Sequence, residues 1–288
     1  MSTWSMKQAL FCLVGSTCLT LSVSMGGYWL WSKHQDKRLN SDEYKILSIV
    51  QTGPEKEALK SVYLAEILGL SADNPTPLYA FDMKKALAKL QASPLIANAK
   101  IKRVAPSTLY IDYEVRKPVA WAADFQNMAI DREGFLFPVT PFFSPKHLPE
   151  VYLGLPDFSG WQVKGAKFDL ALEILQFLEA APWKEGLRIK RIDVSNAFAG
   201  SLGQREVVLF TEEEMCFRKS EREIICTFPK ILRIAPKDYP QQLGNFFALR
   251  RTMMEDYRKQ LSAINEGGRF APRIIDLRLP QLAFVEKG

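Results

Sequence analysis

The chain is poor in the residues that catalysis most often needs. It has two histidines, His34 and His147. Neither has a base, a nucleophile or a second ligand at a recognisable spacing, which removes histidine-based acid–base chemistry as a reading. Of the four cysteines, none has metal-ligand spacing. No glycine-rich phosphate loop follows a strand, and there is no nucleophile elbow. Lys and Arg exceed Asp and Glu by 38 to 32, a net charge of +6. No basic cluster is interleaved with aromatics, however, so nucleic acid is not an expected partner. Nor is there a series of ~10-residue alternating segments of the kind that builds a membrane barrel. These absences predict a protein with no turnover, no cofactor, no metal and no small-molecule substrate.

One long apolar run stands out instead. Residues 9–31, ALFCLVGSTCLTLSVSMGGYWLW, carry no charge. At 1.5 Å per residue, about 23 residues reach about 34 Å, enough to cross the core of a bilayer. Tyr28, Trp29 and Trp31 gather at one end, as interfacial aromatics do. A cleaved signal peptide is the competing reading, with Lys7 as its n-region and Ser22 and Ser24 at a cleavage site. The run is long for such a peptide and continues to Trp31, so a retained anchor is expected. Residues 1–8 are then a short tail and residues 32–42 a polar linker. Taken alone, Lys7 and the terminal amine on one flank against Lys33, Lys37 and Arg38 on the other favour a cytoplasmic C-terminal side or leave the orientation undecided.

Residues 43–117 alternate between two periods. Residues 44–51 read as a strand, Gly53 and Pro54 as a turn, and residues 55–68 as a helix with Leu59, Val62, Tyr63 and Ile67 on one face and Gly69 as its stop. Asp82 sits where an N-cap belongs. Met83, Ala86, Leu87 and Leu90 follow at helical spacing, and Pro94 ends that helix. Then the period becomes two. Ala99 and Ile101 alternate with Lys100 and Lys102. After a turn at Ala105, Pro106 and Ser107, Leu109, Ile111, Tyr113 and Val115 alternate with Tyr110, Asp112, Glu114 and Arg116. Such a hairpin has one buried face, and its outward charges are of opposite sign on the two strands.

The remainder, residues 118–288, predicts mostly strands. Residues 119–123, a hairpin over 128–139 with its turn at Asp131 to Gly134, and residues 151–153 come first. Residues 166–180 read as a helix with Leu170, Leu172, Ile174, Leu175 and Leu178 as its stripe. Residues 187–194 form a strand. Residues 206–210 and 215–218 read as a pair around a solvated acidic turn, Thr211 to Glu214. Residues 225–235 and 243–264 read as helices separated by Asp238, Tyr239 and Pro240. Residues 273–285 read as a closing strand broken at Pro280, which an edge tolerates. Cys216 and Cys226 are free to form a disulfide outside the cytoplasm, and nothing requires one. The fold class is α+β: a single N-terminal transmembrane helix, a β-α-α-β-β module, then a mixed strand-rich domain with helices.

The strand–helix–helix–strand–strand order is that of a POTRA module. The stretch LYAFD, the link SPLIANAKIKR and the hairpin STLYIDYEVRKPVAWA carry the likeness, followed by AIDREGFLFP and a closing Asp276-Leu277-Arg278. With a membrane segment ahead of it, the chain closely resembles the FtsQ/DivIB family of bacterial cell-division proteins. The resemblance implies a non-enzymatic scaffold at the division septum. Its N-terminus would be cytoplasmic, its anchor in the inner membrane lipid and its large domain extracytoplasmic, opposite to the orientation that the flanking charges favour. It also implies that the C-terminal strand region docks FtsB/FtsL-type bitopic coiled-coil partners and other divisome proteins. By position, the partner-binding candidates are Ile275, Leu277, Arg278, Leu279, Leu282 and Phe284 on the closing stretch, with Arg205 beside the strand at 206–210. Leu279 stands where the family commonly has an aromatic, and the helical span before Asp276 is longer than its pattern. A POTRA-containing export or assembly factor, binding polypeptides in transit, is the alternative function.

Overall fold

The structure is a computed structural model that describes residues 6–54, 56–180, 186–219, 222–261 and 267–286. The chain divides into two compact units, Met1–Val115 and Arg116–Gly288. Both combine helices with sheet, so the class is α+β as expected. Residues 1–5 of the expected tail, Glu55 at the expected helix start and residues 262–264 lie outside the described residues.

Unit 1 begins with α1 (Met6–Asn40), a single helix of 35 residues. Its span Leu10–Asn40 is long and apolar enough to cross a membrane. The helix does not stop at Trp31. It continues through the charged segment expected to be a linker, because residues 32–40 hold neither Gly nor Pro to end it. Near its end the Arg38 guanidinium lies over the Tyr79 ring at 4.9 Å, and Tyr79 meets Tyr44 edge-on at 5.6 Å.

β1 (Ser48–Thr52), α2 (Ser61–Leu68), α3 (Met83–Ala92), β2 (Ile96–Val104) and β3 (Thr108–Val115) follow, the strands lying side by side in the order β1-β3-β2. α3 starts as predicted: the Asp82 carboxylate accepts from the amides of Lys84 and Lys85, both at 3.0 Å. α2 ends on Gly69, whose φ of 70° is left-handed. Two expectations fail here. α2 is shorter than 55–68, and its buried face is Leu64 and Leu68, with Leu59 ahead of the helix, while Val62 points to solvent. In the hairpin, Lys100 faces Asp112 as foreseen, but Lys102 faces Tyr110.

In unit 2, β4 (Ala120–Ala122), β5 (Met128–Ile130), β6 (Leu136–Pro138), β7 (Glu150–Tyr152), α4 (Ala166–Ala180), β8 (Leu187–Asp193), β9 (Val207–Lys219), β10 (Arg222–Ile234), α5 (Tyr239–Leu261), β11 (Gly268–Arg269), β12 (Arg273–Asp276) and β13 (Phe284–Glu286) build one mixed sheet. Its order is β13-β12-β10-β9-β8-β7-β4-β5-β6, with β11 against β10. Two crossovers organise it. α4 joins the parallel neighbours β7 and β8, and α5 joins the parallel neighbours β10 and β12. Ile174, Leu175 and Leu178 of α4 share one core with Leu243, Phe246, Met253 and Tyr257 of α5 and with Leu209, Phe228, Leu232 and Ile275 of the sheet. Pro240 does not separate elements. It lies in the first turn of α5, where a missing N–H costs nothing.

The largest correction concerns residues 206–235. The expected acidic turn and the expected helix at 225–235 are the middle of a continuous antiparallel pair, β9 with β10. Pro229 falls between the stretch of β10 held by β11, Cys226 to Thr227, and the stretch held by β12, Lys230 to Arg233. Its missing donor therefore breaks no ladder bond there. The register also settles the cysteines. Cys216 faces Ile225 and Cys226 faces Met215, so the two thiols project from opposite faces, Cys216 exposed and Cys226 buried. A disulfide between them is excluded by geometry.

Candidate functional site

The closing stretch is a hairpin and not a broken strand. β12 runs beside β10. After Leu279 and Pro280 the chain turns at Gln281 (φ 62°), and β13 returns antiparallel, with Ile275 opposite Val285 and Asp276 opposite Phe284. β13 closes one end of the sheet. All three of its residues are exposed, and so are Leu279 and Leu282 ahead of it.

The seven sequence candidates therefore separate. Arg205, Arg278, Leu279 and Phe284 come together, lining a groove of about 550 Å³ beside the edge. Leu282 lies exposed in the turn. Ile275 and Leu277 do not face a partner: both are buried in the core and fasten β12 to the sheet. Alternation predicts this, since residues two apart on a strand share a face. Phe198, Leu202 and Lys237 also line the groove, and sequence reasoning missed them. The only signal was two large apolar side chains, Phe198 and Leu202, inside an otherwise small and polar stretch, NAFAGSLGQ.

Charge holds the groove's floor in shape. Arg278 Nη2 lies 2.7 Å from Asp276 Oδ2, and its Nε donates to Oδ1 at 3.0 Å. Its Nη1 donates to the Gly203 carbonyl at 3.0 Å and lies 3.2 Å from Glu206 Oε2. Arg233 donates from Nε to Glu206 at 2.7 Å and approaches Asp276 at 3.5 Å. Two arginines and two carboxylates thus tie β12, β10 and the lead-in to β9 to the turn at Leu202–Gln204. Arg278 is an organiser of the groove, while Arg205, donating to the Ala199 carbonyl at 2.7 Å, sits exposed on its rim.

Burial alone would raise the Asp276 carboxyl. Hydrogen bonds from the Arg278 side chain and backbone, and the charges of Arg278 and Arg233, outweigh it and hold Asp276 below the ordinary 3.8. A depressed carboxyl contributes stability above its unfolded value and loses it as pH falls through the folded one. Acidification below about pH 4 is expected to open β12 and β13 early, read as lost amide protection at Ile274 and Ile275. Asp276→Asn is expected to show that loss already at neutral pH. Equal protection at pH 3 and pH 7 in the wild type would contradict it.

No family model and no curated protein matches the chain. Among the described residues no group of three His, Cys, Asp or Glu side chains is placed to hold a metal ion. The site combines an end strand of the sheet, exposed apolar side chains and a groove with an ionic floor.

Proposed function

We propose that this chain is a non-enzymatic, single-pass scaffold of the bacterial divisome, of the FtsQ/DivIB kind. Its N-terminus lies in the cytoplasm, α1 crosses the inner membrane, and the POTRA-like unit and the sheet unit stand outside, linking early and late division proteins at the septum. The observation that carries this reading is the β13 edge. A partner strand completes the open backbone groups of such an edge, and neighbouring pockets select its side chains. Leu279, Leu282 and Phe284 supply apolar anchors at a place where a monomer gains nothing by exposing them. The β-α-α-β-β order of unit 1 and the membrane-length α1 support it further.

The test is co-purification from membranes with the N-terminus sequenced. The wild-type chain is expected to be uncleaved and to carry a small bitopic coiled-coil protein. Leu279→Asp with Phe284→Asp is expected to lower recovery of that protein at least about 100-fold, as losing two buried interface anchors does. The thermal transition should stay in place, because both side chains are exposed in the free chain. Unchanged recovery, or a cleaved chain carrying assorted exported polypeptides, would sink the reading. A reporter fused after residue 60 that is active only in the cytoplasm would sink the topology.

A further inference from the structure

With α1 in a bilayer, as the reading above has it, the helix carries unit 1 only a short way from the surface. Past Trp31 it runs on to Asn40, about 14 Å at 1.5 Å per residue. A headgroup layer takes up about half of that distance, since a bilayer of ~40–45 Å has a core of ~30 Å. α1 then meets the sheet of unit 1 at a packed junction. A helical turn at Asp42–Tyr44 and the residues Lys45 to Leu47 lead directly into β1. Arg38 lies over Tyr79, Leu78 donates its amide to the Tyr44 carbonyl at 2.7 Å, and Lys45 bridges to Pro77. The near end of that sheet therefore begins within about one Debye length, ~8 Å, of the headgroups.

At this end β1 and β3 start and β2 finishes. Leu47 and Ser48 both donate their amides to the Ser107 carbonyl, at 2.9 and 3.4 Å, so the β2–β3 turn lies beside Leu47. The tip of that hairpin, Lys102 to Pro106, is exposed throughout. Val104 is 46% exposed and Leu47 73%. The register leaves the tip positive. Lys102 faces Tyr110 and Arg103 faces Leu109, while the acidic residues of β3 come later, Asp112 opposite Lys100 and Glu114 opposite Asn98. Arg103 donates to the Phe81 carbonyl at 2.7 Å. Among the described residues Lys37, Arg38, Lys102 and Arg103 enter no ion pair. Of the nearest carboxylates, Asp42 is bonded to Lys45 at 2.6 Å and Asp82 accepts from the α3 amides. Asp36 and Glu43 are left against those four cations.

We propose that this end of unit 1, through Lys102, Arg103 and Val104 at the hairpin tip, docks on the anionic headgroups of the bilayer that α1 crosses. Charge and tether together select that occupant. Each Lys or Arg near an anionic surface strengthens the attraction roughly fivefold. Val104 and Leu47 are placed to enter the interfacial layer beside the cations. α1 keeps the tip permanently in reach, so a weak attraction acts at high effective concentration. Headgroups need no matched strand or pocket, only positive charge and apolar tips, and the hairpin turn presents both. The proposal rests on α1 lying in a bilayer. It needs neither the division role nor a particular orientation of the chain.

The test uses the full chain with Cys12, Cys18 and Cys216 changed to Ser and Cys226 to Ala, reconstituted in vesicles that carry nitroxide-labelled headgroups. Ala105→Cys takes a fluorophore at the tip, and Asn98→Cys takes the same fluorophore toward the far end of β2. The tip label is expected to be quenched more strongly in phosphatidylcholine vesicles containing phosphatidylglycerol than in phosphatidylcholine alone, and the Asn98 label weakly and equally in both. Lys102→Glu with Arg103→Glu is expected to lower the docked-to-free ratio at least about tenfold. The thermal transition should stay in place, because both side chains are exposed. Salt at about 1 M, where the screening length falls to ~3 Å, should free the unsubstituted tip in the same way. Equal quenching of the tip in the two kinds of vesicle overturns the proposal, as does quenching indifferent to both the double substitution and salt. A tip quenched in neither also overturns it, and leaves the cations to a protein. Vesicle flotation separates the two readings. A chain that floats with an unquenched tip keeps the anchor and loses the docking, and a chain that does not float loses both.

Discussion

Glu213→Gln is expected to remove about 3–5 kcal/mol from the stability of unit 2, the cost of breaking a buried ion pair from one side. Glu213 is 1% exposed on β9 and Lys230 is 0% exposed on β10, and the two are bonded directly. Arg250 of α5 donates to the same carboxylate, with Nε 2.6 Å from Oε1. Lys230 stands in the core row Cys226, Phe228, Leu232 and Ile234, and Arg250 stands in the helical row Leu243, Phe246, Met253 and Tyr257. The triad thus lies where helix meets sheet. Burial pulls the Lys230 ammonium below the usual 10.5, Glu213 pulls it back, and Arg250 and Arg273 push it down again. Without Glu213 only the downward causes remain. A lysine depressed in the folded state binds fewer protons there than in the unfolded chain, so stability then rises with pH between its folded and unfolded values. The Glu213→Gln loss is therefore expected to be largest at neutral pH and to shrink toward pH 10. Glu213→Leu with Lys230→Met should recover most of it, since an apolar pair of similar volume avoids desolvation, and Arg250, 17% exposed, can turn toward water. Exchange protection of the β9 and β10 amides reads all three. A neutral effect of Glu213→Gln would mean the triad is not coupled to folding.

That triad is also why residues 206–235 were illegible in the sequence. Three consecutive glutamates read as solvent, because a buried carboxylate needs a partner and the partners lie 17 and 37 residues away. Glu212 and Glu214 are matched in the same distant way, by Lys190 and Arg269 and by Arg188. In β10, Lys230 and Pro229 break the period-two pattern that would have marked a strand. Where the determinants are local, the reading was good. The Asp82 cap, the Gly69 stop, the hairpin turn at 105–107 and the helix Ala166–Ala180 all depend on residues a few places apart. The groove was half legible. Arg278, Leu279 and Phe284 share the closing stretch and Arg205 was named only through the family resemblance, while Phe198, Leu202 and Lys237 reach the groove through two loops whose path only the sheet order determines.

Gly134→Ala is expected to destabilise unit 2 by about 2–6 kcal/mol, adding backbone strain to overpacking that cannot relax. Gly134 has φ +82°, and a Cβ there would lie 2.2 Å from the Val163 carbonyl oxygen. That oxygen is backbone, and it cannot swing aside. Val163 donates its own N–H to the Gly134 carbonyl at 2.8 Å, and Leu136 donates to Trp161 at 2.7 Å, so the two strands of chain are bonded on both sides of the clash. The turn has no slack at its other end either. Asp131 Oδ1 accepts from the amides of Glu133 and Phe135 at 2.9 and 2.8 Å. Its Oδ2 accepts from Arg116 Nη1 at 2.8 Å, and the Arg116 guanidinium stacks 3.5 Å over the Phe135 ring. Arg116 is the first residue of unit 2, and this buried pair fastens the start of the unit to the β5–β6 hairpin. Moving Gly134 would thus pull on residues 161–163, on Asp131 and on Arg116 together. The expected result is a downward shift of the unit 2 transition and loss of protection at Leu136, with the β1–β3 amides of unit 1 unchanged. A variant as stable as the wild type would mean that residues 161–163 can move off the turn, and that the cover on the β6 edge is looser than its bonds imply.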